Sequence, residues 1–183
     1  MLSAKALAAV VREIEAHAAE SGWDQPARLF ALVPTAELAR AEPELAGVLG
    51  LDVEAEGLTP IDQELPADVD LEGSLASMMW PEEVTGCAAV VERIVLPPSA
   101  DGAVPDDRAR AASYAAEHPE RQELRMVAAA TRDGATQCAL RFRSHDEPAS
   151  VVVGTNLVPA LLELLQASLV DDGLDHTPTE EIT

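Results

Sequence analysis

The segment 86–97 reads GCAAVVERIVLP and is the clearest buried strand in the chain. The run from Cys87 to Val91 is apolar without a break, which is typical of a strand covered on both faces. Glu92 and Arg93 then point to opposite faces of the sheet. Pro97-Pro98 ends the strand, because proline cannot donate a hydrogen bond to a ladder. This strand is therefore predicted to lie in the centre of the sheet.

The dipeptide Asp133-Gly134 gives the second strong signal, a β-hairpin with strands over 123–132 and 135–144. A two-residue turn would place Arg132 opposite Ala135. In that register the core face carries Val127, Ala129, Cys138, Leu140 and Phe142, and the other face carries Met126, Ala128, Arg132, Gln137, Arg141 and Arg143. Phe142, like Val90 of the central strand, is then expected to be almost wholly buried.

Helical periodicity marks both ends of the chain. It predicts an amphipathic helix over 3–21 and a leucine-rich helix over 156–170, whose apolar arc is too wide to be covered by one sheet face. Further strands are predicted over 28–33, over 87–97 and, more weakly, over 151–153. The expected fold is α+β, an antiparallel sheet of about four or five strands with the N- and C-terminal helices packed on it. We expect one domain over 1–170 and a disordered acidic tail over 171–183.

Charge is the most unusual bulk property, because 33 acidic residues stand against 12 basic ones and give a net charge of −21. A field of that sign repels nucleic acid and anionic membranes, so neither is expected as a partner. Residues 42–83, here called the acidic excursion, contain twelve acidic residues and no Lys or Arg. This excursion is predicted to run around the rim as loops, short helices and an edge strand near Ile61. Its acids lack the spacing of a calcium loop, which favours a solvated acidic surface.

Sequence motifs for catalysis or cofactor binding are not found. The chain has no glycine-rich phosphate loop, no nucleophile elbow and no His-Glu-x-x-His pair, so neither catalytic residues nor a cofactor is predicted. Cys87 and Cys138 fall in predicted strands and are expected to be buried, reduced thiols rather than metal ligands. Without a signal peptide or an apolar run of membrane-spanning length, the expected location is the cytoplasm.

The basic residues are concentrated in one window, with eight of the twelve between positions 93 and 143. A candidate ligand site combines Arg125, Arg141, Arg143 and His145, with Trp23 or Trp80 as a wall. Two alternatives stay open for these arginines. Either they pair with the acidic excursion and fasten it to the sheet, or Arg141 and Arg143 stay unpaired beside His145 and form an anion site.

Seven short segments, distributed over nearly the whole chain except the tail, together resemble a known family. They are WDQP at 23–26, RLFALV at 28–33, WPE at 80–82, GCA at 86–88, VER at 91–93, LPP at 96–98 and RSHD at 143–146. The family they resemble is an uncharacterised one of proteins of about this length from high-GC Gram-positive, actinobacterial species. It has no assigned activity, so the resemblance implies a single cytoplasmic domain and leaves function open.

Two functions remain after these exclusions. The first is a non-enzymatic, acidic binding or escort protein, homodimeric through the helix 156–170 and with protein partners. The second is a small-ligand or anion-binding protein, or an enzyme, with its site around Arg141, Arg143 and His145. A flat apolar groove in the structure would favour the first, and a deep pocket with converged Arg and His would favour the second.

Overall fold

A computed structural model describes residues 4–170, and six antiparallel strands form one sheet in the order β2-β1-β3-β4-β5-β6. The strands are β1 (Arg28–Pro34), β2 (Leu58–Gln63), β3 (Gly86–Val95), β4 (Gln122–Thr131), β5 (Thr136–Phe142) and β6 (Val152–Gly154). The α-helices are α1 (Ala4–Glu20), α2 (Thr35–Ala41), α3 (Pro43–Leu49), α4 (Leu71–Ser77), α5 (Arg108–Glu117) and α6 (Pro159–Leu169). The predicted α+β class is confirmed, with one strand more than the upper expectation. Residues 171–183, predicted to be disordered, lie outside the described residues.

β3 is central, as the apolar run at its start indicates. It pairs with β1 on one side and with β4 on the other, and its first six residues are all buried. Gly86, at its start, lies against β4 so closely that a Cβ there would come 2.6 Å from the carbonyl oxygen of Ala130. Only glycine therefore fits at this crossing, which brings β3 and β4 into full register.

The sheet is covered on both faces, because α1 packs on one and α4 and α6 pack on the other. Buried residues on the α1 face are Leu7, Val10, Val11, Ile14, Phe30, Leu32, Ala88, Val90, Val127, Ala129 and Ala139. Those on the α6 face include Leu29, Ala31, Cys87, Ala89, Val91, Ala128, Ala130, Cys138, Leu162, Leu165 and Leu169. The small residues of β3 and β4 let both helical layers approach the sheet closely.

The hairpin register predicted from Asp133-Gly134 is wrong by one residue. Thr131, not Arg132, lies opposite Ala135, since its N–H donates to the Ala135 carbonyl at 3.0 Å. Residues 132–134 form a three-residue loop with Gly134 at a φ of 87°, and the Thr131 hydroxyl donates to the Asp133 side chain inside it. The shift moves Cys138 to the α6 face and Arg141 to the α1 face. Val90 is buried as expected, whereas Phe142 is only half-buried.

Part of the acidic excursion folds over the α6 face. Its α4 helix packs against α6 and covers part of the wide apolar arc of α6, where Leu161 and Leu164 stay only partly buried. Two arginines anchor the excursion or the residues that follow it: Arg28 pairs with Asp62 at 2.5 Å, and Arg132 donates to the carbonyls of Trp80 and Val84 at 3.1 and 2.9 Å. No helix within residues 4–170 is long and apolar enough to cross a membrane.

Both thiols are free and buried, as predicted from their strand positions. Burial raises the pKa of Cys87 to about 12, and this rise outweighs the opposing effects of the Ser168 hydroxyl and the Arg132 charge. The Cys87 thiol is therefore almost entirely protonated at neutral pH, which makes it a poor nucleophile.

Candidate functional site

The turn after α1 lies over the end of the sheet and begins the site. Gly22 and Asp24 both adopt positive φ, 78° and 64°, which reverses the chain between α1 and β1. The Glu92 carboxylate of β3 accepts hydrogen bonds from the backbone N–H groups of Asp24 and Gln25, at 2.7 and 3.3 Å. A carboxylate on the central strand therefore holds the turn, and with it the Trp23 ring, above the sheet.

Arg125 of β4 is buried beneath this turn. It lies directly opposite Glu92 of β3, and its Nε and Nη2 donate to Glu92 Oε1 at 3.2 and 2.8 Å. Nη2 also donates to the Gly22 carbonyl oxygen. The guanidinium carbon lies 4.6 Å from the centre of the Trp23 ring, a favourable cation–π distance. Arg125 thus links the end of α1, the turn and the central strand.

Arg141 of β5 lies next to Arg125 across the strands and is also buried. Its Nε and Nη2 donate to the two carboxylate oxygens of Glu15 on α1, at 2.5 and 2.9 Å, and its Nη1 donates to Asp146 at 3.2 Å. The hydrogen bonds with Glu15 raise the pKa of Arg141 further above its already high value. The contact between Arg141 and Glu15 is bidentate, which is the geometry that suits a guanidinium and a carboxylate best.

Arg143 is closer to solvent and is paired just as fully. Its Nη1 and Nη2 donate to the Asp24 carboxylate, both at 3.0 Å, and Nη1 also donates to Glu123 at 2.6 Å. Its guanidinium carbon is 5.6 Å from the centre of the Trp23 ring, so two arginines contact that ring. The hydrogen bond with Asp24 raises the pKa of Arg143.

Asp146 links Trp23 to Arg141 and is the last member of the network. The Trp23 indole N–H donates to one of its oxygens at 2.9 Å, and Arg141 donates to the other. The indole hydrogen bond, with the Arg141 contact adding to it, lowers the pKa of Asp146. We call this set the arginine cluster: Trp23, Arg125, Arg141 and Arg143 with their five carboxylates, Glu15, Asp24, Glu92, Glu123 and Asp146.

Both alternatives for Arg141 and Arg143 are replaced by a third arrangement. Neither arginine is unpaired beside His145, and their carboxylate partners come from α1, the turn, β4 and the loop after β5 instead of the acidic excursion. Five carboxylates around three guanidinium groups leave no excess of positive charge. A small anion would have to displace a carboxylate already bonded at 2.5–3.2 Å, so the cluster is suited to holding elements together.

The other two candidate residues, His145 and Trp80, are not members of this cluster, although His145 directly precedes Asp146. His145 is exposed, and its Nδ1 lies 2.9 Å from the Ser144 hydroxyl. Trp80 is on the opposite side of the sheet, where its indole N–H donates to the Ser168 hydroxyl of α6 at 3.1 Å. The structure therefore brings Trp23, Arg125, Arg141 and Arg143 together but not Trp80. Within residues 4–170, no group of three or more His, Cys, Asp or Glu side chains could hold a metal ion.

Open grooves flank these elements, among them one of about 630 Å³ whose lining includes Arg12, Glu15 and Arg141. Of two others, the larger, about 890 Å³, lies beside the arginine cluster and is lined by residues 95–98, 120–123, Arg143 and Ser144. The second, about 570 Å³, lies between α4 and α6 on the other face and is called here the α4–α6 groove. Its lining residues are Glu72, Leu75, Ala76, Ser77, Met78, Met79, Trp80, Leu164, Ala167, Ser168 and Val170.

The carboxylate partners of the arginines were not identified from the sequence. For Glu15 a signal exists, because it lies on the same side of α1 as the buried Val11 and Ala18, three to four residues away. A charge inside an apolar stripe requires a partner. Glu92 carries a weaker signal, as the first charged residue after a buried run. Asp24 and Asp146 lie in loops, and nothing in the local sequence indicates their roles.

Comparison with known proteins gives a family and nothing closer. The family described as PPA1309-like protein matches residues 7–170, a range that begins within the first turn of α1 and includes all later elements to α6. The chain belongs to this family. The matched range contains the whole arginine cluster and the α4–α6 groove, so both lie inside the part of the chain that is shared with PPA1309-like proteins. No curated protein and no solved structure shows a significant match.

Proposed function

We propose that this PPA1309-like chain is a non-enzymatic binding protein that escorts a partner protein and forms a homodimer through α6. The observation that carries the proposal is the α4–α6 groove. Glu72 is the one charged residue among those that line it, in a chain where charged residues make up 25% of the sequence. An open apolar surface of this kind is characteristic of contacts between protein chains.

The rim of the groove supports self-association in particular. The side chains of Met79 and Val170 are 89% and 68% exposed, although both are apolar. Methionine is flexible and packs well against irregular surfaces. Two copies with a net charge of −21 each can approach closely only where carboxylates are sparse, and the groove meets that condition. A two-fold contact would bury the groove of one copy against that of the other.

Sedimentation velocity of paired variants tests this proposal. Met79→Glu places a charge at the groove, and Val48→Glu places the same charge at a comparably exposed apolar position on α3. We expect the wild type and Val48→Glu to sediment as dimers at micromolar concentration and Met79→Glu to sediment as a monomer. A monomeric wild type at tens of micromolar, or a dimer that is unaffected by Met79→Glu, would refute dimerisation through this groove.

The proposal includes a cytoplasmic location in an actinobacterial cell. The two free, buried cysteines support the reducing compartment, and the resemblance of the seven segments supports the source. Fractionation of cells that express the full chain with an epitope tag tests the location. Recovery of the tagged chain in the cytosolic fraction is expected, and recovery in the culture medium or in the washed membrane fraction would contradict the proposal.

A further inference from the structure

The α3 helix turns an apolar stripe towards solvent. Leu45, Val48 and Leu49 occupy positions i, i+3 and i+4, so they lie on one side of the helix. Their side chains are 43%, 83% and 55% exposed, while the buried residue of this helix is Ala46. A surface helix ordinarily buries its leucine and valine stripe against the core. Here α3 contacts α2 and leaves the stripe outside. We call this stripe, together with the exposed Val53 that follows it, the α3 patch.

Carboxylates are frequent in the chain before and after the apolar stripe of the α3 patch. Five acidic residues in the same stretch of chain are all exposed: Glu42, Glu44, Asp52, Glu54 and Glu56. No ion pair within residues 4–170 uses any of them. The guanidinium that reaches this segment in the described structure is that of Arg40, which donates to the Val53 carbonyl at 3.0 Å. The segment 42–56 is therefore strongly negative and also exposes an apolar stripe to solvent.

We infer that the α3 patch docks a basic amphipathic segment of the partner protein, an inference that rests on the proposed binding function. The apolar side of such a segment would cover Leu45, Val48 and Leu49, and its Lys or Arg residues would meet the surrounding carboxylates. A second copy of this chain does not fit, because it would bring five carboxylates against five others. An anionic membrane is repelled for the same reason.

Binding of a synthetic helical peptide of leucine and lysine tests this inference. The peptide carries a fluorescent label, and its anisotropy is followed at about 150 mM salt, where screening reduces long-range attraction to this acidic chain. A leucine and glutamine peptide of the same pattern reports the contribution of charge. The test variant is Val48→Ser/Leu49→Ser and the matched control is Met79→Ser/Val170→Ser, neither of which changes the net charge.

We expect the Val48→Ser/Leu49→Ser variant to bind the lysine peptide at least about tenfold more weakly than the wild type, because two apolar contacts are lost. The control should change affinity less than about twofold, and the glutamine peptide should bind at least about tenfold more weakly than the lysine peptide. Equal effects of the two variants, or equal affinity for the two peptides, would overturn the inference. Amide chemical shifts of the labelled wild type should also change at 45–53 on adding the peptide; changes confined elsewhere would overturn it as well.

Sedimentation of the same two variants separates this inference from the proposed dimer. Loss of the dimer in Met79→Ser/Val170→Ser with retained peptide binding would support both. A monomeric wild type that still binds the lysine peptide through the α3 patch would overturn the dimer and leave the patch intact. Loss of the dimer in Val48→Ser/Leu49→Ser alone would show that a second copy occupies the patch, and would overturn the inference.

Discussion

The buried pair of Glu15 and Arg141 offers the sharpest test of how the fold is held together. Replacing Glu15 with Gln keeps the shape of the side chain and removes its charge. The Gln amide oxygen can still accept a hydrogen bond from Arg141, but the charged partner that remains for the buried guanidinium is Asp146, at 3.2 Å and with its side chain 47% exposed. Removing one partner of a buried ion pair typically costs about 3–5 kcal/mol when the other charge is left uncompensated. Because Asp146 still compensates part of the Arg141 charge, the lower end of that range is expected.

Urea unfolding followed by tryptophan fluorescence measures this cost, since Trp23 lies inside the arginine cluster. We expect the free energy of unfolding to fall by about 3 kcal/mol or more in Glu15→Gln. The melting temperature of a chain of this size falls roughly 2–4 °C per kcal/mol. The double variant Glu15→Leu/Arg141→Met, which replaces the pair with apolar side chains of similar length, should regain most of the loss.

The pair formed by Arg28 and Asp62 is the matched control, because the Asp62 side chain is 50% exposed. Asp62→Asn should cost no more than about 1 kcal/mol, as is typical of ion pairs at a surface. A loss below about 1 kcal/mol in Glu15→Gln would refute the reasoning, since it would place the pair in a solvated environment. A double variant no more stable than Glu15→Gln would show that the pair is needed for more than charge compensation.

Three further outcomes follow from the strands. The thiol of Cys87 has a folded pKa of about 12 against 9.0 for the free group, so the wild type should lose stability as pH rises above 9, by up to about 1.4 kcal/mol per pH unit. Cys87→Ala should unfold in urea with a smaller loss between pH 8 and pH 10.5. Gly86→Ala should cost about 1–3 kcal/mol in the same assay, because its Cβ meets the Ala130 carbonyl. Phe142→Ala should cost less than the 3–5 kcal/mol usual for a buried phenylalanine, about 1–3 kcal/mol by urea unfolding, because Phe142 is half-buried.

The elements of this fold could be predicted because each depends on a local pattern. The apolar run of β3 and the helical spacing of α1 each indicate a buried surface, and this can be read from the sequence without knowing which elements cover that surface. The segment 42–83 was placed at the rim because it is acidic and interrupted by proline, which fits the edge strand β2 but not α4, whose Leu71 and Leu75 are buried in the core. Its helix α4 was predicted as a short helix, but its role in covering α6 depends on a contact between residues about ninety positions apart.

The hairpin shows how a strong local signal can give the wrong register. Asp-Gly favours a two-residue turn, but the Thr131 hydroxyl donates to Asp133 and accepts from the Ala135 N–H at 3.1 Å. These contacts stabilise a three-residue loop with Gly134 as its left-handed residue. The one-residue difference turns Arg141 towards α1, where Glu15 meets it. The arginines of the candidate site were therefore predicted from the sequence, but their carboxylate partners were not. The register of the strand decides which face of the sheet an arginine occupies, and so which carboxylates it can reach.

Salt should affect the two proposed contacts in opposite directions, and this follows from where the charges lie. The three guanidinium groups of the arginine cluster are bonded to the chain's own carboxylates, so the outer field is set by acids such as those around the α3 patch. Two copies meeting at the α4–α6 groove repel each other at long range, so added salt should strengthen the dimer. A basic peptide at the α3 patch is attracted by the same field, so added salt should weaken its binding. Sedimentation and anisotropy measured between about 50 and 300 mM salt compare the two slopes. Slopes of the same sign would contradict the charge argument behind one of the two contacts, repulsion between like copies or attraction of a basic peptide.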